Sequence, residues 1–179
     1  MLNDLAKEVH QNAVEHGWWK QDRSFGEIIA LCHSELSEAL EEYRNASDRI
    51  RKLPMYFSGG GYVAGAVTEC CKKPEGIAVE LADCIIRILD YFGREGINID
   101  KLDSCHLSVM VLNNFGDLIA AYHMYLSKAL EEYENSWLKG LVEQIYSYCE
   151  RNEIDMDAVI QIKHMYNKTR PYKHGGKVI

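Results

Sequence analysis

Residues 25–45 read FGEIIALCHSELSEALEEYRN and residues 115–135 read FGDLIAAYHMYLSKALEEYEN, identical at 13 of 21 positions. A segment that recurs within one chain has to be packed twice, so the repeat restricts the chain to folds with two similar halves. Further on, 88–100 (ILDYFGREGINID) is similar to 145–157 (IYSYCERNEIDMD) at an offset of 57, against 90 for the first match. The offsets differ by 33, about the extra length of a glycine-rich stretch that only the first half carries.

The repeat has helical periodicity. At 100° per residue Ile28, Ile29, Cys32, Leu36, Ala39, Leu40 and Tyr43 fall on one arc, which predicts an amphipathic helix over 27–44. Glu35 borders that arc and Glu38 lies further round. Over 76–93 a second arc holds Leu81, Ala82, Cys84, Ile85, Ile88, Leu89 and Phe92, and Glu80, Asp83, Arg87 and Asp90 form a polar stripe. Helices are also expected at 1–16 and 155–168, since only Pro54, Pro74 and Pro171 interrupt the chain. Leu53–Gly76 breaks the period around Gly59-Gly60-Gly61 and reads as a flexible arm or β-hairpin. The tail RPYKHGGKVI reads as irregular. The expected fold class is therefore all-α, a helical bundle of tandem helical hairpins. Residues 1–100 form one repeat with an inserted arm at 47–75, residues 104–158 a second repeat, and residues 159–179 a closing helix and basic tail.

A net charge of −7 and a pI near 5.5 argue against a duplex nucleic acid partner. No apolar run reaches the length of a membrane span, so no membrane partner is expected. MLNDLAKEVHQ lacks the character of a signal peptide, and a cytoplasmic location is expected. Six cysteines without a CxxC pair read as reduced thiols, mostly buried.

The two repeats differ most in their acids. Glu35-x-x-Glu38 and Glu80-x-x-Asp83 in the first half become Tyr125, Lys128, Trp137 and Gly140 in the second. Each pair lies three residues apart on a helix, so its carboxylates share one surface. Two antiparallel helices would bring all four together, and such a cluster repels itself unless hard divalent cations sit within it. All-oxygen ligation suits Mg²⁺, which keeps part of its water shell and reaches outward to phosphates. The plain alternative is a solvated acidic face with an Asp83–Arg87 ion pair. Concerted loss of all four acids in the second repeat favours a shared role.

Glu35-x-x-Glu38 followed by Glu80-x-x-Asp83, with SFGEIIALCHSELSEALEEYR, GIAVELADCIIRILDYF and HMYNKTRPYKHGGK around them, resembles the MazG-like all-α nucleoside triphosphate pyrophosphohydrolases. The resemblance covers roughly residues 1–100 and 160–177. The chain departs from the family's pattern in the 41 residues between Glu38 and Glu80, more than the family usually has, and in its degenerate second repeat. The resemblance implies hydrolysis of a (deoxy)nucleoside triphosphate to the monophosphate and pyrophosphate, in a nucleotide-pool house-cleaning role. It implies Mg²⁺, with Mn²⁺ as a substitute, held by Glu35, Glu38, Glu80 and Asp83. Glu38 or Glu41 is the candidate for orienting the attacking water. His10 and Trp19 resemble a His and a Trp that precede the first acid pair in members binding pyrimidine deoxynucleotides.

The basic tail adds Lys163, Asn167, Arg170, Tyr172, Lys173 and His174 as candidate substrate contacts, against the plain reading of a solvated end. His33 and His123 occupy equivalent repeat positions and are read as packing residues. A homodimer or an intrachain pseudo-dimer is expected. Two other classes compete. Di-iron bundle proteins need Glu-x-x-His motifs, which do not accompany these acid pairs. A non-catalytic nucleotide-binding or regulatory helical module with a relic metal site also has this pattern.

Overall fold

The polar-striped segment expected at 76–93 forms a helix from Ile77 to Glu95, buried on nearly every side, against which the helices Leu2–Glu15, Phe25–Asn45 and Met156–Thr169 pack. The computed structural model describes residues 2–46, 55–57, 61–62, 73–107, 112 and 114–176; the rest of the expected arm and the last three residues lie outside the described residues. In chain order the elements are α1 (Leu2–Glu15), α2 (Phe25–Asn45), β1 (Tyr56–Phe57), β2 (Gly61–Tyr62), β3 (Pro74–Glu75), α3 (Ile77–Glu95), a 3-10 turn (Ile99–Lys101), α4 (Phe115–Glu132), α5 (Asn135–Arg151), α6 (Met156–Thr169) and the single turn α7 (Lys173–Gly176). The chain is all-α in class. Among the described residues no helix is long and apolar enough to cross a membrane.

Local sequence sets the helix ends. Ser24 and Glu27 close a capping box at the start of α2, with reciprocal bonds of 3.1 and 2.7 Å. Asn114 and Asp155 cap α4 and α6 by accepting from the amides of Asp117 and Ala158. Gly96 ends α3 in the left-handed region at φ 65°, which a glycine adopts without strain.

The hairpin expectation is met by an antiparallel pairing of β1 with β2, Tyr56 opposite Tyr62. β3 adds a third strand on the other side of β1, just before α3. The Tyr56 hydroxyl donates to Glu42 at 2.8 Å, tying this small sheet to α2. The tail departs from the irregular reading. The Lys173 amide donates to the His16 carbonyl at 3.0 Å, and the Tyr172 ring lies where a side chain at residue 17 would otherwise go. Gly17 is therefore required for docking, and the chain after α6 is fastened to the end of α1.

α2 and α4, which carry the repeated sequence, pack against each other reciprocally. Phe25 meets Tyr133 with ring centroids 4.9 Å apart, and Phe115 meets Tyr43 at 4.6 Å. Each pair is the image of the other under the 90-residue offset, the pattern of an isologous interface. His33 and His123, equivalent positions, stack on one another, and one Nδ1 donates to the other at 2.7 Å. Of the six cysteines, Cys32, Cys84 and Cys149 are buried free thiols and Cys105 is partly exposed; Cys70 and Cys71 lie outside the described residues.

Two predictions follow from the packing. A Cβ at Gly93 would lie inside contact distance of the Ala6 carbonyl, where α1 crosses α3. Gly93→Ala should therefore cost about 1–3 kcal/mol in chemical denaturation. Burial holds both stacked imidazoles below their ordinary value, and the neighbouring His123 charge lowers His33 further. Such a group contributes its full stability above its unfolded value, near about 6.5, and loses it as pH falls from there. Thermal melts should drop by a few degrees between about pH 7.5 and pH 5.5, and by less in the His33→Leu/His123→Leu double variant.

Candidate metal centre and cleft

The facing surfaces of α2 and α3 place Glu35, Glu38 and Glu80 so that one ligand oxygen of each lies within 4.8 Å of the others. Glu35 and Glu80 are only 5% and 6% exposed, and Glu38 is exposed to solvent. The i, i+3 spacing on α2 aims Glu35 inward and Glu38 outward along one flank of the helix. The Glu80 carboxyl is pushed up to about 8 by burial and then by the charge of Asp83, with Lys163 pulling it back. Glu35 is also raised, since burial outweighs the opposing charge and hydrogen bond of Arg87. Each carboxylate offers acceptors only, and two of them are held in a setting that penalises their charge. This donor set fits a hard divalent cation, which would relieve that penalty.

The fourth acid stands apart. Asp83 accepts from Lys163 Nζ at 2.7 Å, and Lys163 itself is 3% exposed. Burial pulls the Lys163 ammonium down, but Asp83 and then Glu80 outweigh it and leave it raised, so it stays charged. Arg87 does not pair with Asp83 along its own helix. Its Nε crosses to Glu35 Oε1 at 2.5 Å. Two basic residues, one from α3 and one from α6, thus neutralise one acid on each side of the site.

These groups line a cleft of about 530 Å³ between α1, α2, α3 and α6. The expected residues Glu35, Glu38, Glu80, Asp83, Lys163, Asn167 and Arg170 all line it. Glu41 does not; it faces solvent on the outside of α2. His10 and Trp19 are not among the residues that line the cleft. Both bind Asp90, His10 Nδ1 at 2.8 Å and Trp19 Nε1 at 2.8 Å, so Trp19 supports the wall and its neighbour Trp18 lines the cleft. Tyr172 and Lys173 belong to the tail's docking on α1 and lie outside the cleft lining, and the side chain of His174 lies outside the described residues.

Sequence reasoning missed Arg23, Lys73, His164 and the cleft roles of Arg87 and Asp90. The last two stood in the polar stripe of α3 and could have been found there; Arg23 carries no local signal. The cleft wall holds five carboxyl groups (Glu35, Glu38, Glu80, Asp83, Asp90) and five cations (Lys73, Arg23, Arg87, Lys163, Arg170), so it carries no net negative charge even without a metal. A divalent ion at the triad would turn it positive and favour a polyanion. Among the described residues, two buried polar atoms of the wall, His164 Nε2 and Asn167 Oδ1, have no hydrogen-bond partner. Buried polar groups are rarely left so.

The second half closes the equivalent place. Tyr125 is 4% exposed and packs edge-on against Trp137 at 5.9 Å. Backbone from the 103–107 segment lies over them: the Leu107 amide donates to the Tyr125 hydroxyl at 3.2 Å, and the Cys105 amide to the Ser136 carbonyl at 3.1 Å. A Cβ at Gly140 would collide with the Cys105 carbonyl. Lys128 turns outward to Glu131 and Glu132. Among the described residues, acids gather only in the first half's version of the site.

A scan against protein-family models and searches of curated proteins and of solved structures return no match to this chain.

If the triad is a metal centre, millimolar Mg²⁺ or Mn²⁺ should raise the melting temperature of the chelator-treated chain by selective binding to the folded form. Glu80→Gln should remove that rise. Without metal the same variant should melt no lower than wild type, because burial already disfavours the charged form of Glu80 and glutamine never carries that charge. An undiminished metal-induced rise in Glu80→Gln, read by differential scanning calorimetry, would exclude the triad.

Proposed function

We propose that the chain is a Mg²⁺-dependent nucleoside triphosphate pyrophosphohydrolase of the MazG-like kind, with Mn²⁺ as an alternative ion, acting on the cytoplasmic nucleotide pool. The observation that carries this reading is the carboxylate triad set in a cleft that Lys163 and Arg170 also line. Acids alone would repel a triphosphate; acids that take up a divalent ion, beside guanidinium and ammonium groups, suit one.

Glu35, Glu38 and Glu80 would hold the ion. When bound there, Mg²⁺ supplies charge neutralisation for phosphate oxygens and a more acidic water. The protein's own residues do the rest. Arg170 makes no ion pair among the described residues and offers its fork to phosphate oxygens, while Lys163, held by Asp83, offers a fixed positive charge. Glu38 is the solvent-facing acid of the triad and takes the proton of the attacking water. The water oxygen bonds to the α-phosphorus as the bond from that phosphorus to the bridging oxygen breaks. The electron pair leaves with pyrophosphate, and the nucleoside monophosphate remains.

The second repeat serves as the packing half. The reciprocal Phe25–Tyr133 and Tyr43–Phe115 contacts support an intrachain pseudo-dimer, in which α4 gives α2 the apolar partner that another subunit could otherwise supply. One observation favours a second reading, a nucleotide-binding module with a relic site: Arg87 and Lys163 already neutralise Glu35 and Asp83 without any metal.

Pyrophosphate release separates the two. The Mg²⁺-loaded chain should convert at least one nucleoside triphosphate to monophosphate plus pyrophosphate, with no turnover in chelator. Glu38→Gln should lower kcat by about a hundredfold or more, the usual range for a lost general base. Arg170→Ala should act mainly by raising KM, by about tenfold, as expected for a lost charge-assisted contact. Nucleotide binding without pyrophosphate from any triphosphate would establish the relic-site reading instead.

A further inference from the structure

Arg23 stands at the far end of the cleft from the carboxylate triad. It immediately precedes Ser24, the cap of α2, and Glu35 lies 11 residues beyond that cap, about 16 Å along the helix axis at 1.5 Å per residue. On the facing helix Asp90 lies ten residues beyond Glu80, about 15 Å by the same rise. Arg23 and Asp90 both line the cleft. The two ends are thus chemically distinct: acids that suit a metal at one, a guanidinium beside a single carboxylate at the other.

The guanidinium is set against two aromatic rings. Arg23 lies over the rings of Trp18 and Trp19, 5.2 and 5.7 Å from their centroids. Trp19 is itself fixed by the bond from its Nε1 to Asp90. No hydrogen bond or ion pair joins Arg23 to another described residue. Burial and the nearby Arg87 charge disfavour a cation here and outweigh the opposing attraction of Asp90 and Glu27, neither of which hydrogen-bonds to the guanidinium. A stacked guanidinium has its N–H donors directed in its own plane, ready for bidentate use.

This inference rests on the pyrophosphohydrolase reading above. With the triphosphate held at the triad end, the sugar and base of a nucleotide extend along the cleft toward Arg23. We propose that Arg23 reads the edge of the nucleobase and selects bases presenting a carbonyl, such as guanine, hypoxanthine, uracil or thymine, over adenine and cytosine, which present an amino group at that place. The reason is donor–acceptor matching. Arginine offers donors alone, so it pairs with an exocyclic oxygen and, in purines, with the adjacent ring nitrogen. An exocyclic amino group turns its own donors toward the guanidinium and leaves both unsatisfied.

The test uses the full chain with Mg²⁺ and two matched pairs of triphosphates, inosine against adenosine and uridine against cytidine, which differ in carbonyl against amino at one edge position and in the proton on the neighbouring ring nitrogen. Two quantities are read: kcat/KM from pyrophosphate release, and Kd from quenching of tryptophan fluorescence. The carbonyl member should be favoured by about tenfold or more in at least one pair, the usual size of a good bidentate base contact, and in the same direction by both measures. Arg23→Met should bring that ratio close to one, and Arg23→Lys, which keeps the charge but not the fork, should restore it only in part. Thermal melts of both variants check folding, and Arg23→Gln serves if the Met variant melts early. A ratio near one in both pairs, a preference for the amino member, or a carbonyl preference surviving in the folded Arg23 variants would overturn the proposal. If no triphosphate yields pyrophosphate, the catalytic reading fails by itself; the Kd ratios and their response to Arg23 then decide whether base reading stands.

Discussion

Carboxylates buried between two helices have to be matched by positive charge, and the centre of this protein is organised by how that is done. Taking Glu35, Glu80 and Asp83 out of water costs far more than an apolar contact returns, unless each carboxylate finds a partner. Arg87 reaches across from α3 to Glu35, and Lys163 comes in from α6 to Asp83. Glu80 forms no such pair, with Lys163 acting on it only at longer range, and it is the carboxyl raised to about 8. A buried ion pair is poor evidence for stability, since apolar side chains of similar volume would serve the core as well or better. Such pairs beside an unneutralised acid make sense as the setting for a further charge. They also explain why α6 packs on α3 at that level, with Lys163 nearly inaccessible to solvent.

The two halves use one packing scheme to opposite ends. Ring pairs exchanged under the 90-residue offset, and two equivalent histidines stacked on each other, show that α2 and α4 meet as like surfaces. Behind that interface the first half leaves a cleft and the second fills it. Tyr125 and Trp137 occupy the volume that acids line in the first half, and the 103–107 backbone hydrogen-bonds across them. Gly140 is required there because backbone passes where a side chain would stand. The first half has Asp83 at that position, paired with a lysine of α6. The acids and the open pocket are absent together from the described residues of the second half, where a buried aromatic pair leaves no room for a hydrated ion.

Much of this was legible in the residues. The arcs over 27–44 and 76–93 predict α2 and α3 within a residue or two, because apolar periodicity is a local property of the chain. The i, i+3 acids showed which flank of each helix faces the site. Other features were not local. Asp83 and Arg87 are spaced for an ordinary i,i+4 pair, yet each bonds to another helix. Trp18 and Trp19 are neighbours that reading along the chain cannot tell apart, and the Asp90 carboxylate decides that Trp19 is anchored while Trp18 lines the cleft. Arg23 became visible as part of the cleft only when α2 and α3 were laid side by side.

By itself the sequence determined the helical class, the duplication and the identity of the acids that one copy keeps. Those follow from composition, period and the comparison of the chain with itself, which require no knowledge of where the helices pack. Tertiary structure decided which acids converge and which cations reach them. It also turned Glu41 outward, docked the tail against α1 instead of leaving it as a loose end, and closed the second site. The physical reason is range. Helix propensity and amphipathicity act over a few residues, whereas the partner of a buried charge is whichever opposite charge the packing brings within about 3 Å, however far along the chain it lies.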